Sequence, residues 1–274
     1  MELTWKGQTA RVRETGPGSG AGPAVVLVHG YPLDGAMWSG VARLLSRRFR
    51  VLKPDLPGRG ETAAESGGTI ADYADFLEAI LRELPAPVGL AGFSMGGYAT
   101  LALLERRPER LGAVALVDTR ASADDEAGKA KREEAIATVR SETGVPAIAD
   151  AMVPRLLAPA SLANRDLVER VQRIIRRQPP KTVEADLTAM RDRPDRRGEL
   201  AGVAIPALVV VGDQDALTPP PDSELMAGTI PGARLVTIPG AGHLTPMERP
   251  GAVAAALDEF FGATLSGAGA TLAP

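Results

Sequence analysis

The segment Gly92-Phe93-Ser94-Met95-Gly96, followed by a further glycine at Gly97, sets a serine inside a G-x-S-x-G spacing. That spacing serves nucleophilic chemistry. An apolar run, Val88 to Phe93, precedes the serine and a helix-patterned run, Met95 to Arg106, follows it. The serine is therefore expected at the tip of a tight strand-to-helix turn. Small residues two before and two after it let strand and helix pass closely. The helix then turns its free N–H groups and positive dipole end toward the reacting oxygen. A glycine-rich turn without chemistry has the same composition; the flanking strand and helix favour the nucleophile.

A serine hydroxyl needs a base, and the chain offers two imidazoles, His29 and His243, and no cysteine. His243 ends Gly240-Ala241-Gly242-His243, a loop after the last predicted strand that can project over the sheet edge. Between serine and histidine stands Gly212-Asp213-Gln214-Asp215. The order Ser, acid, His is one that supports a triad. Asp215, further out on its loop, is favoured to accept the Nδ1–H of His243, setting its tautomer and stabilising the imidazolium. Asp213 reads as an Asx cap of its own turn, and Asp118, at the end of an earlier strand, is a third acid. His29-Gly30-Tyr31-Pro32 closes the first strong strand. There the Tyr31 N–H and the Met95 N–H are expected to form a pair of oxyanion donors, with His29 holding its loop by hydrogen bonds. Trp38 and Phe93 are pocket candidates that could equally pack in the core. Arg120 is a candidate carboxylate ligand. The arginines at 155, 165, 170, 173, 176 and 177 read most simply as a solvated helix face.

The elements that must position these residues follow from the apolar periodicity. Residues around Leu3 and Val12–Glu14 read as a hairpin, and Gly16 to Gly20 as a flexible loop. Strands are expected at 24–28, 50–53, 88–93 and 113–117, with helices over 37–46, 69–84 and 95–106 between them. This alternation argues for an α/β fold, a mainly parallel sheet with helices on both faces. From about 122 to 200 only helical patterning appears, broken at Gly144-Val145-Pro146, Pro154, Pro159 and Pro179-Pro180. Strands resume at 207–211 and 234–238, and a helix at 251–261. The expected organisation is a core of residues 1–119 and 201–262, a helical cap of 120–200 inserted after the sixth strand, and a flexible tail of 263–274.

The 274 residues carry 31 Lys and Arg against 34 Asp and Glu, a net charge of -3. Nothing there favours nucleic acid or an anionic membrane, either of which calls for a basic face. The absence of cysteine removes disulfides and thiolate metal sites, and two histidines do not furnish a histidine-based zinc centre. No metal and no cofactor is expected. The N-terminus lacks the apolar segment of a signal peptide, so a cytoplasmic monomer or homodimer is expected.

These motifs, His29-Gly30, Asp55-Leu56-Pro57-Gly58-Arg59-Gly60, Gly92 to Gly97, Gly212 to Asp215 and Gly242-His243, recur in the order of the α/β-hydrolase superfamily, which the chain resembles over about residues 20 to 262. Within it the chain is most similar to the small esterases and 3-oxoadipate enol-lactonase-like proteins. The resemblance implies an eight-stranded, mostly parallel sheet, a helical cap over the site, and cofactor-free hydrolysis of a small ester or lactone through an acyl-enzyme. Cofactor-free perhydrolase or haloperoxidase activity, acyl transfer, and small-molecule binding with little turnover stay open as alternatives.

Overall fold

The computed structural model describes residues 1–15, 22–60, 62 and 68–265. The loop expected at Gly16 to Gly20, and residues 266–274 of the expected tail, lie outside these. An N-terminal hairpin, β1 (Glu2–Trp5) and β2 (Gln8–Thr15), leads into β3 (Ala24–Val28), a 3-10 turn over Gly35–Trp38, α1 (Ser39–Leu45) and β4 (Arg50–Pro54). Then come α2 (Ile70–Arg82), β5 (Val88–Phe93), α3 (Met95–Leu104) and β6 (Leu111–Val117). Five helices follow: α4 (Glu126–Arg140), α5 (Gly144–Leu156), α6 (Pro159–Leu162), α7 (Arg165–Arg176) and α8 (Pro180–Arg191). The chain closes with β7 (Ala207–Gly212), α9 (Pro220–Thr229), β8 (Arg234–Ile238), α10 (Thr245–Glu248) and α11 (Pro250–Leu265).

The sheet has eight strands in the order β1-β2-β4-β3-β5-β6-β7-β8, antiparallel at β1/β2 and β2/β4 and parallel from β4 onward. Strands β3, β5 and β7 are buried along their whole length, as a parallel sheet covered on both faces requires. Alternation along β5 shows the two coverings. A Cβ on Gly89 would meet the Phe261 ring of α11, whereas one on Gly92 would meet Thr100 of α3. The strand order reverses between β3 and β5, so the loops after these two strands diverge and leave a crevice at their C-terminal ends.

Local signals account for the helices. Thr69 caps α2 by accepting the Asp72 N–H at 3.0 Å, and Tyr73, Phe76, Leu77, Ile80 and Leu81 form its buried stripe. Asn164 caps α7, whose first turn holds Asp166 and whose last turn holds Arg173 and Arg176, complementing the helix dipole. Two expectations need correction. Pro154 does not break the cap; it lies inside α5, two residues from its end, where the helix is already terminating. The tail begins later than residue 263, because α11 continues to Leu265, held by buried Phe261 and Leu265 against the sheet. Among the described residues no helix is long and apolar enough to cross a membrane.

The five helices between β6 and β7 are bolted to the core by buried charge. Arg59, from the loop after β4, reaches Asp186 of α8 at 2.5 Å, with side chains 1% and 0% exposed, and the Tyr73 hydroxyl donates to the same carboxylate. Arg59 also donates to the Leu33 carbonyl at 3.1 Å. On the other side Asp34 accepts from both guanidinium nitrogens of Arg177, at 2.8 and 2.7 Å, and from the Gln178 amide at 2.9 Å. Arg177 keeps the exposure expected of the cap arginines, at 48%, but its guanidinium is bound to a buried carboxylate. Removing one member of a buried pair leaves the other charged and unpaired. Asp186→Ala is accordingly expected to destabilise the fold by about 3–5 kcal/mol, measured by urea unfolding. An unchanged midpoint would mean that the cap is docked by apolar contacts alone.

Candidate active site

The strand-to-helix turn after β5 is as tight as its glycines require. A Cβ on Gly92 would lie 2.6 Å from the Gly96 carbonyl oxygen, and one on Gly96 would lie 2.6 Å from the His29 carbonyl oxygen. Ser94 takes φ 50° and ψ −115°, a conformation L residues adopt only under constraint. The constraint is visible in its backbone. Its N–H donates to the Val117 carbonyl at 3.0 Å, and its own carbonyl accepts from the Gly97 and Tyr98 N–H groups and the Thr119 hydroxyl. The strained turn lifts the Ser94 hydroxyl off the sheet and starts α3 directly behind it.

His243 Nε2 lies 2.9 Å from Ser94 Oγ, and His243 Nδ1 lies 2.8 Å from Asp215 Oδ2. The three side chains come from the ends of β5, β7 and β8 and are buried. Asp215 is held by its own loop: Oδ1 accepts the Leu217 and Thr218 N–H groups at 2.8 and 3.0 Å, and Oδ2 accepts the Thr218 hydroxyl at 2.8 Å. Burial pushes the Asp215 carboxyl upward, but the His243 charge and the hydrogen bonds from His243 and Thr218 outweigh it and hold the group below the ordinary carboxylate range. An ionised Asp215 facing Nδ1 favours the proton on that nitrogen and turns Nε2 toward Ser94 Oγ.

The other acids do different work. Asp118 has one oxygen on the Gly212 N–H and the other on the Thr245 hydroxyl, tying β6 to the loops that carry Asp215 and His243. Burial, and then the charge of Asp215, push its carboxyl well above the usual range, so the negative charge resides on Asp215. Asp213 does not cap its own turn; its Oδ1 accepts the Gly240 and Ala241 N–H groups at 2.8 and 3.3 Å and so steadies the His243 loop. His29 sits away from the serine. Its Nε2 accepts the Leu56 N–H at 3.0 Å and its Nδ1 lies 3.0 Å from the Gly30 carbonyl. Burial, and then the charge of Arg59, depress it to about 3, which keeps it neutral.

Above Ser94 and His243 lies a cavity of about 400 Å³. Tyr31 and Tyr98 stand near its floor; Ile148 and Met152 of α5 and Leu187 and Met190 of α8 give it an apolar wall. The lining also carries charge: Arg120, Lys131, Arg132 and Arg155 as cations, Asp124 and Asp125 as acids. The Tyr31 and Met95 N–H groups have no acceptor within the protein among the described residues. Trp38 and Phe93 do not line this cavity. Both are fully buried, packed edge to face with centroids 6.3 Å apart, and Phe93 supports the His243 ring from 5.1 Å. Among the described residues no cluster of three or more His, Asp or Glu could hold a metal ion.

Residues 25–256 match the model of the alpha/beta hydrolase family. The chain belongs to that family. It is 31% identical over 234 residues to a pimeloyl-[acyl-carrier protein] methyl ester esterase of Nitrosomonas europaea, covering 82% of this chain and 90% of that one. Among solved structures, a malate-bound thermophilic esterase from Thermogutta terrifontis superposes with a TM-score of 0.89 at 37% identity, covering 96% and 97% of the two chains. The enol-lactonase of Burkholderia xenovorans superposes with a TM-score of 0.87 at 28% identity, covering 96% and 100%.

In this α/β hydrolase sequence reasoning missed an acid whose partners are drawn from near and far in the chain. Asp124, at the entrance to α4, accepts from Arg120, Arg132 and Arg193, and its side chain is 1% exposed. One carboxylate thus organises three guanidiniums beside the cavity. Burial opposes its ionisation, but the hydrogen bond from Arg193 and the charges of Arg132 and Arg193 prevail and pull it down to about 2. A depressed folded-state pKa stabilises fully above the unfolded value near 4 and loses that effect as pH falls through about 2. Asp124→Asn should therefore cost about 2 kcal/mol at pH 7, with the deficit shrinking below about pH 4. Denaturant unfolding at several pH values checks this; a deficit independent of pH would assign the loss to packing.

Proposed function

We propose that the protein is a carboxylic ester hydrolase that cleaves an ester or lactone through an acyl-enzyme on Ser94, with His243 as general base and Asp215 as the acid that orients it. The observation that carries this reading is the continuous hydrogen-bond chain from Ser94 Oγ through His243 to Asp215, opening onto a cavity with an apolar wall. The names of the relatives, a methyl ester esterase, a thermophilic esterase and an enol-lactonase, support the same bond type.

The chemistry follows from the groups in place. Ser94 Oγ attacks the carbonyl carbon as its proton passes to His243 Nε2. The carbonyl electron pair moves onto oxygen, where the Tyr31 and Met95 N–H groups and the positive end of α3 stabilise it. Collapse breaks the C–O bond, and the imidazolium returns the proton to the departing alcohol. In a lactone that alcohol stays attached to the acyl group. Water, deprotonated by His243, then attacks the acyl-enzyme; expulsion of Ser94 Oγ, reprotonated by the imidazolium, releases the acid. Throughout, Asp215 balances the imidazolium charge without taking the proton.

Ser94→Ala should abolish hydrolysis of p-nitrophenyl acetate and butyrate by purity-matched samples; activity surviving that change would place the nucleophile elsewhere. Asp215→Asn should lower kcat by about 10⁴-fold, because an amide favours the wrong tautomer of His243. Asp118→Asn, whose carboxyl carries little charge beside Asp215, should retain most activity. The reverse pattern would exchange the two roles.

Arg120, in the cavity lining, supports recognition of a substrate that bears a carboxylate at a distance from the scissile bond. Arg120→Ala is expected to raise KM for an acid half-ester more than for a neutral ester of the same length. Equal changes on both would remove the guanidinium from substrate recognition.

A further inference from the structure

The loop that carries His243 is fastened on two sides, and only one of them belongs to the sheet. On the sheet side Asp213 accepts the Gly240 and Ala241 N–H groups, and the Gln214 N–H donates to the Ala241 carbonyl at 2.9 Å. On the other side both neighbours of the histidine are bonded toward the cap. The Leu244 N–H donates to the Leu156 carbonyl at 2.9 Å. The Gly242 N–H donates to Glu248 Oε1 at 2.9 Å, while Glu248 Oε2 accepts the Ala158 N–H, also at 2.9 Å. Glu248 is buried in the short helix α10, so its two oxygens span the gap between the base loop and the cap backbone. The approach is close: a Cβ on Gly242 would stand 2.6 Å from the Ala158 nitrogen and 2.8 Å from the Leu157 carbonyl carbon.

Leu156 is the last residue of α5, the helix whose Ile148 and Met152 form part of the apolar cavity wall. The same helix therefore bounds the cavity and anchors the histidine.

We infer that Glu248 is a positioning residue: by bridging the Gly242 and Ala158 N–H groups it holds His243 in register with the end of α5, so that base and cavity wall keep one geometry. This rests on the reading of His243 as the general base. Glu248 lies at neither Ser94 nor the cavity above it, and it acts only through backbone. A carboxylate is needed because both partners are donors and each takes one oxygen; an amide offers one acceptor and turns an N–H group against the other donor.

The test uses the full chain with Glu248→Gln, and Glu248→Asp as a second variant that keeps the charge but lacks the reach to span both donors. A misplaced base costs turnover more than binding, so kcat for p-nitrophenyl butyrate should fall at least about tenfold with KM within about twofold. The chain has two histidines, so ¹H–¹⁵N ring spectra contain signals from His29 and His243 alone. The His243 signals should move or broaden in both variants while those of His29, whose partners are Gly30 and Leu56, stay where they are. Folded variants with wild-type His243 signals would overturn the inference. So would equal disturbance of both histidines with turnover falling only as the folded fraction falls, which marks a general packing role. If wild type hydrolyses no ester, the reading of His243 as base fails separately, and the ring spectra still decide whether Glu248 holds that ring.

Discussion

Ser94 sits where an L residue does not rest unaided. Its backbone angles cost on the order of 1–3 kcal/mol, and they persist because α3 approaches β5 more closely than a side chain at position 92 would permit, and approaches the end of β3 more closely than one at position 96 would permit. The bonds at Ser94 N and O, from β6, α3 and Thr119, hold the turn from three directions. Everything else in the site is arranged with respect to that turn. The loop after β3 passes against Gly96 through the His29 carbonyl. The loops after β7 and β8 deliver Asp215 and His243 to the hydroxyl because parallel neighbours end at the same edge.

The features legible in the sequence are those whose physics is local. The apolar runs at 24–28, 88–93 and 207–211 could only be buried parallel strands, and a glycine two residues to each side of Ser94 has a steric meaning readable without coordinates. Asp215 was separable from Asp213 by loop position, although the actual task of Asp213, holding the neighbouring loop, depends on a contact across 27 residues that spacing does not encode. Trp38 and Phe93 show the limit from the other side. An aromatic residue beside a nucleophile has two faces available, and only the packing of one ring on the other decided that both belong to the core. The cap was recognisable as helical, but its ionic anchors were not. Arg177 and Asp34, or Asp186 and Arg59, are each more than 120 residues apart, and an arginine bound for a buried carboxylate looks in sequence like one bound for water.

Charge is distributed with some economy around the cavity. Asp124 receives three guanidiniums, Asp34 one guanidinium and one amide, Asp186 one guanidinium and one phenol. Asp124 and Asp186 gather donors from separate elements, and Asp34 takes both of its cap donors from the end of α7. At Asp124 three guanidiniums share one carboxylate, whereas Arg59 and Asp186 form a one-to-one pair.

The anchors at Asp34, Asp186 and Glu248 tie the end of α7, helix α8 and the turn after α5 to the core. The exposed residues of the cavity lining are Asp125, Ala127 and Lys131 around the start of α4, Ala151 and Arg155 of α5, and Ala216 on the loop after β7. The cavity therefore meets solvent through a slot between α4, α5 and the loop after β7, edged by the long side chains of Lys131 and Arg155. Such a slot acts as a sieve. It sorts molecules by cross-section on the way in and limits how fast the larger products diffuse out, so breadth of substrate choice here is set by the width of a gap as much as by the fit of a pocket.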